Sequence, residues 1–126
     1  MLPARLTEEV KALSDEGLAA DVVESEGMFC VVFRNYALPR GGYNKPSTDL
    51  LLMLPPSYPN GKPDMFWVES DLLLANGNVP RSADGIETHL GRQWRRFSWH
   101  LTKWNPASDD LRTYLEFVNS RLAKGV

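Results

Sequence analysis

The sequence predicts an α+β fold in which helices pack against one side of an antiparallel sheet of four strands in sequential order. Apolar residues recur at helical spacing near both ends of the chain, and runs rich in β-branched and aromatic residues lie between residues 20 and 68. Nine prolines and nine glycines separate these segments. A chain of 126 residues is the size of one domain, so we expect residues 1–126 to form a single unit.

The first predicted helix covers residues 7–16. Thr7 is its expected amino-terminal cap, Val10 and Leu13 recur at helical spacing, and Gly17 can close it. An amphipathic helix of this kind is expected to pack its apolar stripe on the sheet.

Four strands are expected to form a meander. Residues 20–34 contain two β-rich runs broken at Gly27, which predicts a hairpin. A third strand is expected at residues 49–54 and a short fourth at 65–68. Strands that follow one another in sequence pair most economically as antiparallel neighbours.

The segment between the third and fourth strands is rich in proline. Prolines in residues 55–63 remove backbone donors and restrict their neighbours. We expect this segment to be ordered and extended rather than helical.

The carboxy-terminal part is predicted to contain a long loop followed by two helices. Loop-forming residues dominate residues 69–85, and residues 92–103 carry Trp94, Phe97 and Leu101 at helical spacing. After the interruption at Trp104-Asn105-Pro106, the last helix is expected to start after a Ser108 cap. Leu111, Leu115, Val118 and Leu122 form its apolar face, and Lys124 and Gly125 its end.

Composition and charge exclude several classes of protein. Hydrophobic residues are 43% and charged residues 24% of the chain, and the formal net charge is −2, so binding to nucleic acid is not expected. No apolar run is long enough to span a bilayer, and the start of the chain lacks signal-peptide features, so we expect no membrane partner and a cytoplasmic protein. A lone Cys30 and two histidines, His89 and His100, predict no metal site.

Four blocks of sequence resemble ubiquitin-conjugating enzymes. They are LPPSYP at 54–59 followed by Lys62-Pro63, WNP at 104–106, YALPRGGYN at 36–44 and WRRFSWH at 94–100. The last two are similar to the prokaryotic branch of that superfamily called family E. The resemblance covers almost the whole chain. It implies a ubiquitin-conjugating-enzyme-like fold, with a ubiquitin-like protein and an adenylating activating enzyme as partners. It implies no cofactor for this chain, because the activating enzyme consumes the ATP.

The chain departs from that family's pattern at the nucleophile. Members carry a cysteine, preceded by a His-Pro-Asn tripeptide, before the W-x-P element, and no cysteine stands there in this chain. His89-Leu90-Gly91 occupies the place of the tripeptide but lacks its asparagine. Cys30 lies within a predicted strand and is expected to be a buried core residue.

Ser98 is the hydroxyl that could replace the missing thiol. It falls in the region where the family's cysteine is expected, and His100 or His89 could act as its base. Positions i and i+2 of a helix point apart, so Ser98 and His100 meet only if the backbone there is irregular. A solvated serine and a structurally hydrogen-bonded histidine remain the alternative interpretations.

Basic residues cluster around the same block. Arg92, Arg95, Arg96 and Lys103 could receive an acidic partner surface or a carboxylate-bearing tail, or could form a solvated helix face.

The sequence therefore predicts a carrier of a ubiquitin-like protein in a bacterial conjugation pathway, working through an oxyester on Ser98. The alternative is a catalytically inactive module that binds a ubiquitin-like protein or activating enzyme without a covalent bond. A small hydrolase using Ser98 and His100 is less well supported, because neither an acidic orienting residue nor a nucleophile-elbow glycine pattern accompanies them.

Overall fold

One antiparallel sheet of six strands is the centre of the computed structural model, which describes residues 2–124. The elements are α1 (Ala4–Asp15), β1 (Ala20–Ser25), β2 (Met28–Ala37), β3 (Ser47–Leu54), β4 (Phe66–Glu69), β5 (Gly85–His89), β6 (Arg92–Phe97) and α2 (Leu111–Lys124). The strand order is β1-β2-β3-β4-β6-β5. The predicted α+β class, with an amino-terminal helix, an antiparallel sheet and a carboxy-terminal helix, is confirmed, whereas the count of four strands is wrong.

The β1–β2 hairpin was predicted from the break at Gly27 and is confirmed. Glu26 and Gly27 both have positive φ, at 56° and 74°, and Ser25 pairs with Met28 across them. Two consecutive positive-φ residues make the two-residue turn whose twist matches that of the flanking strands.

The predicted helix at residues 92–103 is wrong, because this region begins with strand β6. Trp94 and Phe97 lie three positions apart, as on a helix face, yet they bury on opposite faces of the sheet. Phe97 stacks on Phe66 at a centroid distance of 4.8 Å. The turn before β6 is Leu90-Gly91, with φ values of 55° and 75°. Leucine is an unusual residue at that position, so the hairpin with β5 had no sequence signal.

The sheet buries side chains on both faces. The first face packs against α1 and α2, which contribute Leu6, Leu13, Leu115 and Val118 to the larger core. The second face carries a smaller core without a helix over it, made of Cys30, Val32, Leu51, Met53, Trp67 and Trp94. Neither described helix is long and apolar enough to cross a membrane.

Both helices differ from prediction at their first residue. The first helix begins at Ala4, with Pro3 as its cap residue, so Thr7 lies inside the helix and does not cap it. In α2 the side chain of Asp110 accepts a hydrogen bond from the Thr113 backbone N–H at 3.0 Å. Asp110 therefore caps α2 in place of Ser108. Gly125, the predicted end, lies outside the described residues.

Residues 55–63 are not helical, as predicted, but they form turns instead of an extended path. The backbone N–H of Tyr58 donates to the carbonyl oxygen of Pro55 at 2.9 Å, and the Tyr58–Pro59 peptide bond is cis. The Trp104 Nε1–H donates to the Pro59 carbonyl oxygen at 2.7 Å. This bond ties the proline-rich segment to the WNP block.

The Glu9 carboxylate joins α1 to both of these regions. Its Oε1 atom accepts hydrogen bonds from the Tyr58 hydroxyl at 2.6 Å and from the Leu111 backbone N–H at 2.8 Å. Its Oε2 atom accepts from Arg5, whose guanidinium also donates to the Pro106 carbonyl oxygen at 2.8 Å. One acidic side chain therefore orients the proline-rich segment and the start of α2.

Replacing Glu9 should destabilise the fold measurably. The Glu9→Ala variant leaves the Tyr58 hydroxyl and the Leu111 N–H without their acceptor, so we expect a loss of about 2 to 4 kcal/mol in the free energy of unfolding. Urea titration followed by circular dichroism measures it. The control is Glu8→Ala, since Glu8 is exposed. Equal losses in the two variants would contradict this role of Glu9.

Candidate functional site

Ser98 is the first residue after β6 and begins the irregular connection to α2. Its backbone N–H donates to the carbonyl oxygen of Ser82 at 2.8 Å, which holds it beside the loop before β5. The half-buried Ser98 Oγ accepts a hydrogen bond from Arg96 Nε at 2.9 Å. A guanidinium at this distance favours negative charge on the serine oxygen, although no hydrogen bond joins Ser98 to either histidine.

His100 is paired with an acid that the sequence analysis did not find. Its Nδ1 atom lies 2.6 Å from Oδ1 of Asp64, a residue 36 positions away in the chain. No other described residue makes a hydrogen bond with the His100 ring. The exposed imidazole is therefore oriented through Nδ1, and Nε2 faces no protein partner.

His89 bridges two hairpins through Glu26 and Glu87, an arrangement that we call the His89 clasp. Its Nδ1 atom lies 2.7 Å from Glu26 Oε2 in the β1–β2 turn, and Nε2 lies 2.9 Å from Glu87 Oε1 on β5. The ring meets Trp67 edge-on at 5.4 Å. The contact with Glu26 joins the β5–β6 hairpin to the β1–β2 turn, although β1 and β5 are the two edge strands of the sheet. The pKa of His89 reflects two opposing effects: burial lowers it, and the two carboxylates raise it above 6.5.

Three of the four residues of the predicted basic patch are already engaged inside the molecule, whereas Lys103 is exposed. Arg92, Arg95 and Arg96 each donate hydrogen bonds to groups of the same chain, and Arg95 is only 9% exposed. The partners are Asp49 for Arg92, the carbonyl oxygens of Ala83 and Ser70 for Arg95, and Glu87 with Ser98 for Arg96. A partner surface would have to compete with these bonds.

Cys30 is buried in the second core, as predicted. The side chain has no exposed surface, and its sulfur lies 3.9 Å from the Ser25 carbonyl oxygen. Burial raises the pKa of the thiol, and the charge of Glu26 adds to that shift. Within residues 2–124, no group of three or more His, Cys, Asp and Glu side chains is placed to hold a metal ion.

A groove of about 340 Å³ opens on the second face of the sheet beside both histidine pairs. Three methionines from separate parts of the chain line it, so we name it the methionine groove. Its residues are Met28, Met53, Pro55, Lys62, Asp64, Met65, Trp67 and His89. Flexible thioether side chains adapt to varied apolar partners. The sequence analysis missed this groove because its lining residues meet only when the sheet forms.

The fold and the family comparison identify the class of protein. In chain order the strands lie between an amino-terminal and a carboxy-terminal helix, and the proline-rich segment is bonded to the WNP block. This arrangement fits an E2-like ubiquitin-conjugating module. The model of the prokaryotic E2 family E matches residues 6–125, and the chain belongs to that family. The resemblance seen in the sequence is thereby confirmed. No curated protein and no solved structure matches the chain.

Cys30 should react slowly with thiol reagents in the native protein. A fully buried thiol with a raised pKa is both inaccessible and protonated at neutral pH. We expect labelling by Ellman's reagent to be at least about 100-fold slower in buffer than in denaturant, since it requires opening of the core. Labelling at comparable rates in the two solutions would show that the thiol is accessible.

The clasp at His89 should strengthen the protein at acidic pH. The pKa of His89 is raised in the folded protein. The contribution of His89 to the free energy of unfolding is therefore complete below about pH 6.5, and it is lost as the pH rises through the pKa of His89 in the folded state. Wild type and His89→Gln should differ most in unfolding free energy near about pH 6 and least near about pH 9. His100→Gln, which leaves the clasp intact, is the control. A difference independent of pH would argue against the clasp.

Proposed function

We propose that this chain carries a ubiquitin-like protein as an oxyester on Ser98 in a bacterial ubiquitin-like conjugation pathway. The observation that carries the proposal is the hydrogen bond from Arg96 to Ser98 Oγ, at the point where β6 passes into the segment before the WNP block. A nucleophilic oxygen needs a nearby positive group to stabilise its developing charge. Family membership supports an adenylating activating enzyme as the donor. We propose that the reaction takes place in the cytoplasm.

The proposed reaction is an acyl exchange, in which each new bond to the carbonyl carbon replaces one that breaks. The activating enzyme presents the carboxyl terminus of the ubiquitin-like protein as an adenylate or thioester. Ser98 Oγ attacks the carbonyl carbon, the new C–O bond forms, and the bond to the phosphate oxygen or sulfur breaks. A target amine then attacks the ester, and the serine oxygen leaves with a proton. ATP is used only by the activating enzyme, so this chain needs no cofactor.

A base must accept the Ser98 proton, and His100 is the better placed histidine. Asp64 holds its Nδ1 atom and leaves Nε2 available, which is the arrangement of an oriented general base. His89 has carboxylates at both ring nitrogens, so it would have to leave its clasp to act. No hydrogen bond joins the two side chains in the structure, so the irregular segment would have to move for His100 Nε2 to reach Ser98 Oγ.

Arg92 and Arg96 are the two of the three engaged arginines that a partner can reach. Both guanidinium groups are partly exposed and pair with carboxylates. An acidic surface of the activating enzyme can therefore replace Asp49 or Glu87 as their partner. Buried Arg95 holds the loop before β5 through carbonyl oxygens and would act on a partner only through that loop.

A second candidate function is a binding module without covalent chemistry. The absence of a hydrogen bond between Ser98 and a histidine in the described residues favours it. The methionine groove offers an apolar surface of a size suited to one or two side chains of a ubiquitin-like protein. In this alternative the chain positions its partner for the activating enzyme.

Substitutions at Ser98 separate the covalent from the non-covalent function. With activating enzyme, ATP and the ubiquitin-like protein, wild type should form an adduct that resists reductant and is cleaved by hydroxylamine. Ser98→Ala should abolish it, and Ser98→Cys should form an adduct that reductant cleaves, because a thioester replaces the oxyester. Denaturing gels with and without reductant measure the adduct. Ser108→Ala, an exposed serine in the same connection, is the control.

Three results would overturn the assignment. An adduct on Ser98→Ala, or its loss in Cys30→Ser alone, would place the nucleophile elsewhere. If wild type forms no adduct yet binds the ubiquitin-like protein, the binding module is correct. Met28→Glu in the methionine groove should then weaken that binding by at least about 10-fold, because it places a charge in an apolar contact.

A further inference from the structure

Two arginines stack on the tryptophan that follows Ser98. The Cζ atom of Arg121, on α2, lies 4.5 Å from the centre of the Trp99 ring. The Cζ atom of Arg81, in the connection between β4 and β5, lies 5.9 Å from the same centre. We call these three residues the Trp99 cluster. They come from three separate parts of the chain, so the cluster exists only in the folded protein.

The arginines of the Trp99 cluster differ from most others in lacking a polar partner. Within residues 2–124, neither the Arg81 nor the Arg121 side chain makes a hydrogen bond or an ion pair. The Nε atom of Arg121 and the Nε1 atom of Trp99 are both shielded from solvent and have no acceptor. The arginines that do have hydrogen-bond acceptors are Arg5, Arg34, Arg92, Arg95, Arg96 and Arg112.

Unpaired guanidinium groups on an aromatic ring are prepared to receive an anion. Stacking on Trp99 restrains the planar fork, so less side-chain entropy is lost when a ligand binds. The fork matches the two oxygens of a carboxylate. A buried donor without an acceptor costs free energy. The Arg121 Nε–H and Trp99 Nε1–H groups gain an acceptor if their side chains shift toward the ligand.

We propose that the Trp99 cluster binds acidic side chains of a peptide segment on a partner protein. Charge complementarity selects this ligand, since neither arginine forms an ion pair with a carboxylate of the described residues. Nucleic acid is disfavoured by the net charge of −2, which would repel a polyanion of many phosphates. The methionine groove is lined by other residues, so the two surfaces are distinct. The inference requires no reaction at Ser98 and stands apart from the oxyester.

Binding of a defined acidic peptide tests the proposal. The probe is hexaglutamate with an acetylated amino terminus and an amidated carboxyl terminus, titrated into ¹⁵N-labelled protein. We expect the Trp99 indole N–H resonance to shift on binding, and affinity to fall as salt is added. Arg81→Ala and Arg121→Ala should each raise the dissociation constant by at least about 5-fold, as expected when one charge-assisted contact is lost.

The matched control is Arg40→Ala. Arg40 is also exposed and forms no ion pair with another described residue, but it lies in the connection between β2 and β3. Its substitution should leave hexaglutamate binding unchanged. An equal loss in Arg40→Ala would mean general charge attraction and would overturn the proposal, as would unchanged binding in Arg81→Ala.

Two further measurements keep the test decisive. Arg121 also packs over Phe117 at 5.3 Å, so its variant needs a melting curve, and exposed Arg81 supplies the result if Arg121→Ala unfolds. Hexalysine should not bind. A single-stranded thymidine oligonucleotide that binds more tightly than hexaglutamate, and weakens with Arg81→Ala, would assign the cluster to nucleic acid and overturn the proposal.

Discussion

A nearly buried carboxylate in the first helix holds together the part of the molecule that carries the candidate chemistry. The side chain of Glu9 is 13% exposed and binds Arg5, Tyr58 and the start of α2. Arg5 in turn donates to the carbonyl oxygens of Pro106 and Asp109. These bonds fix the end of the irregular connection that begins at Ser98. The segment that carries the proposed site is therefore anchored at one end by a helix that contributes no residue to it.

The second face of the sheet depends on a different constraint. Neither described helix contributes a residue to its core, and the β5–β6 hairpin is joined to the β1–β2 turn through His89, Glu26 and Glu87. The Trp67 Nε1–H group donates a hydrogen bond to the Glu87 carboxylate at 2.9 Å, which ties the β5–β6 hairpin to the Trp67 side chain. The methionine groove is the space that remains beside this hairpin. Its shape is thus set by an ion-paired histidine rather than by close packing of a helix.

The arginines show how the fold separates structural charges from available ones. Those next to Ser98 in sequence bind internal carboxylates and carbonyl oxygens, and Arg96 also reaches the serine oxygen. Arg81 and Arg121, whose side chains are unpaired, come from other parts of the chain and converge on Trp99. The arginines that are clustered in the sequence are therefore bound within the molecule, and arginines that are far apart in the sequence meet at Trp99.

Local patterns in the sequence were sufficient for the strands up to β4, the hairpin at Gly27, the buried Cys30 and the family. These features depend on residues that are neighbours in the sequence, namely on strand propensity, on the glycine of the turn and on short sequence motifs. The β5–β6 hairpin was not predictable, because Trp94 and Phe97 imitate helical spacing while burying on opposite faces. The pairing of His100 with Asp64 was equally hidden, since it spans 36 positions. Which distant groups meet is decided by how the sheet and helices pack, and spacing along the chain does not encode that packing.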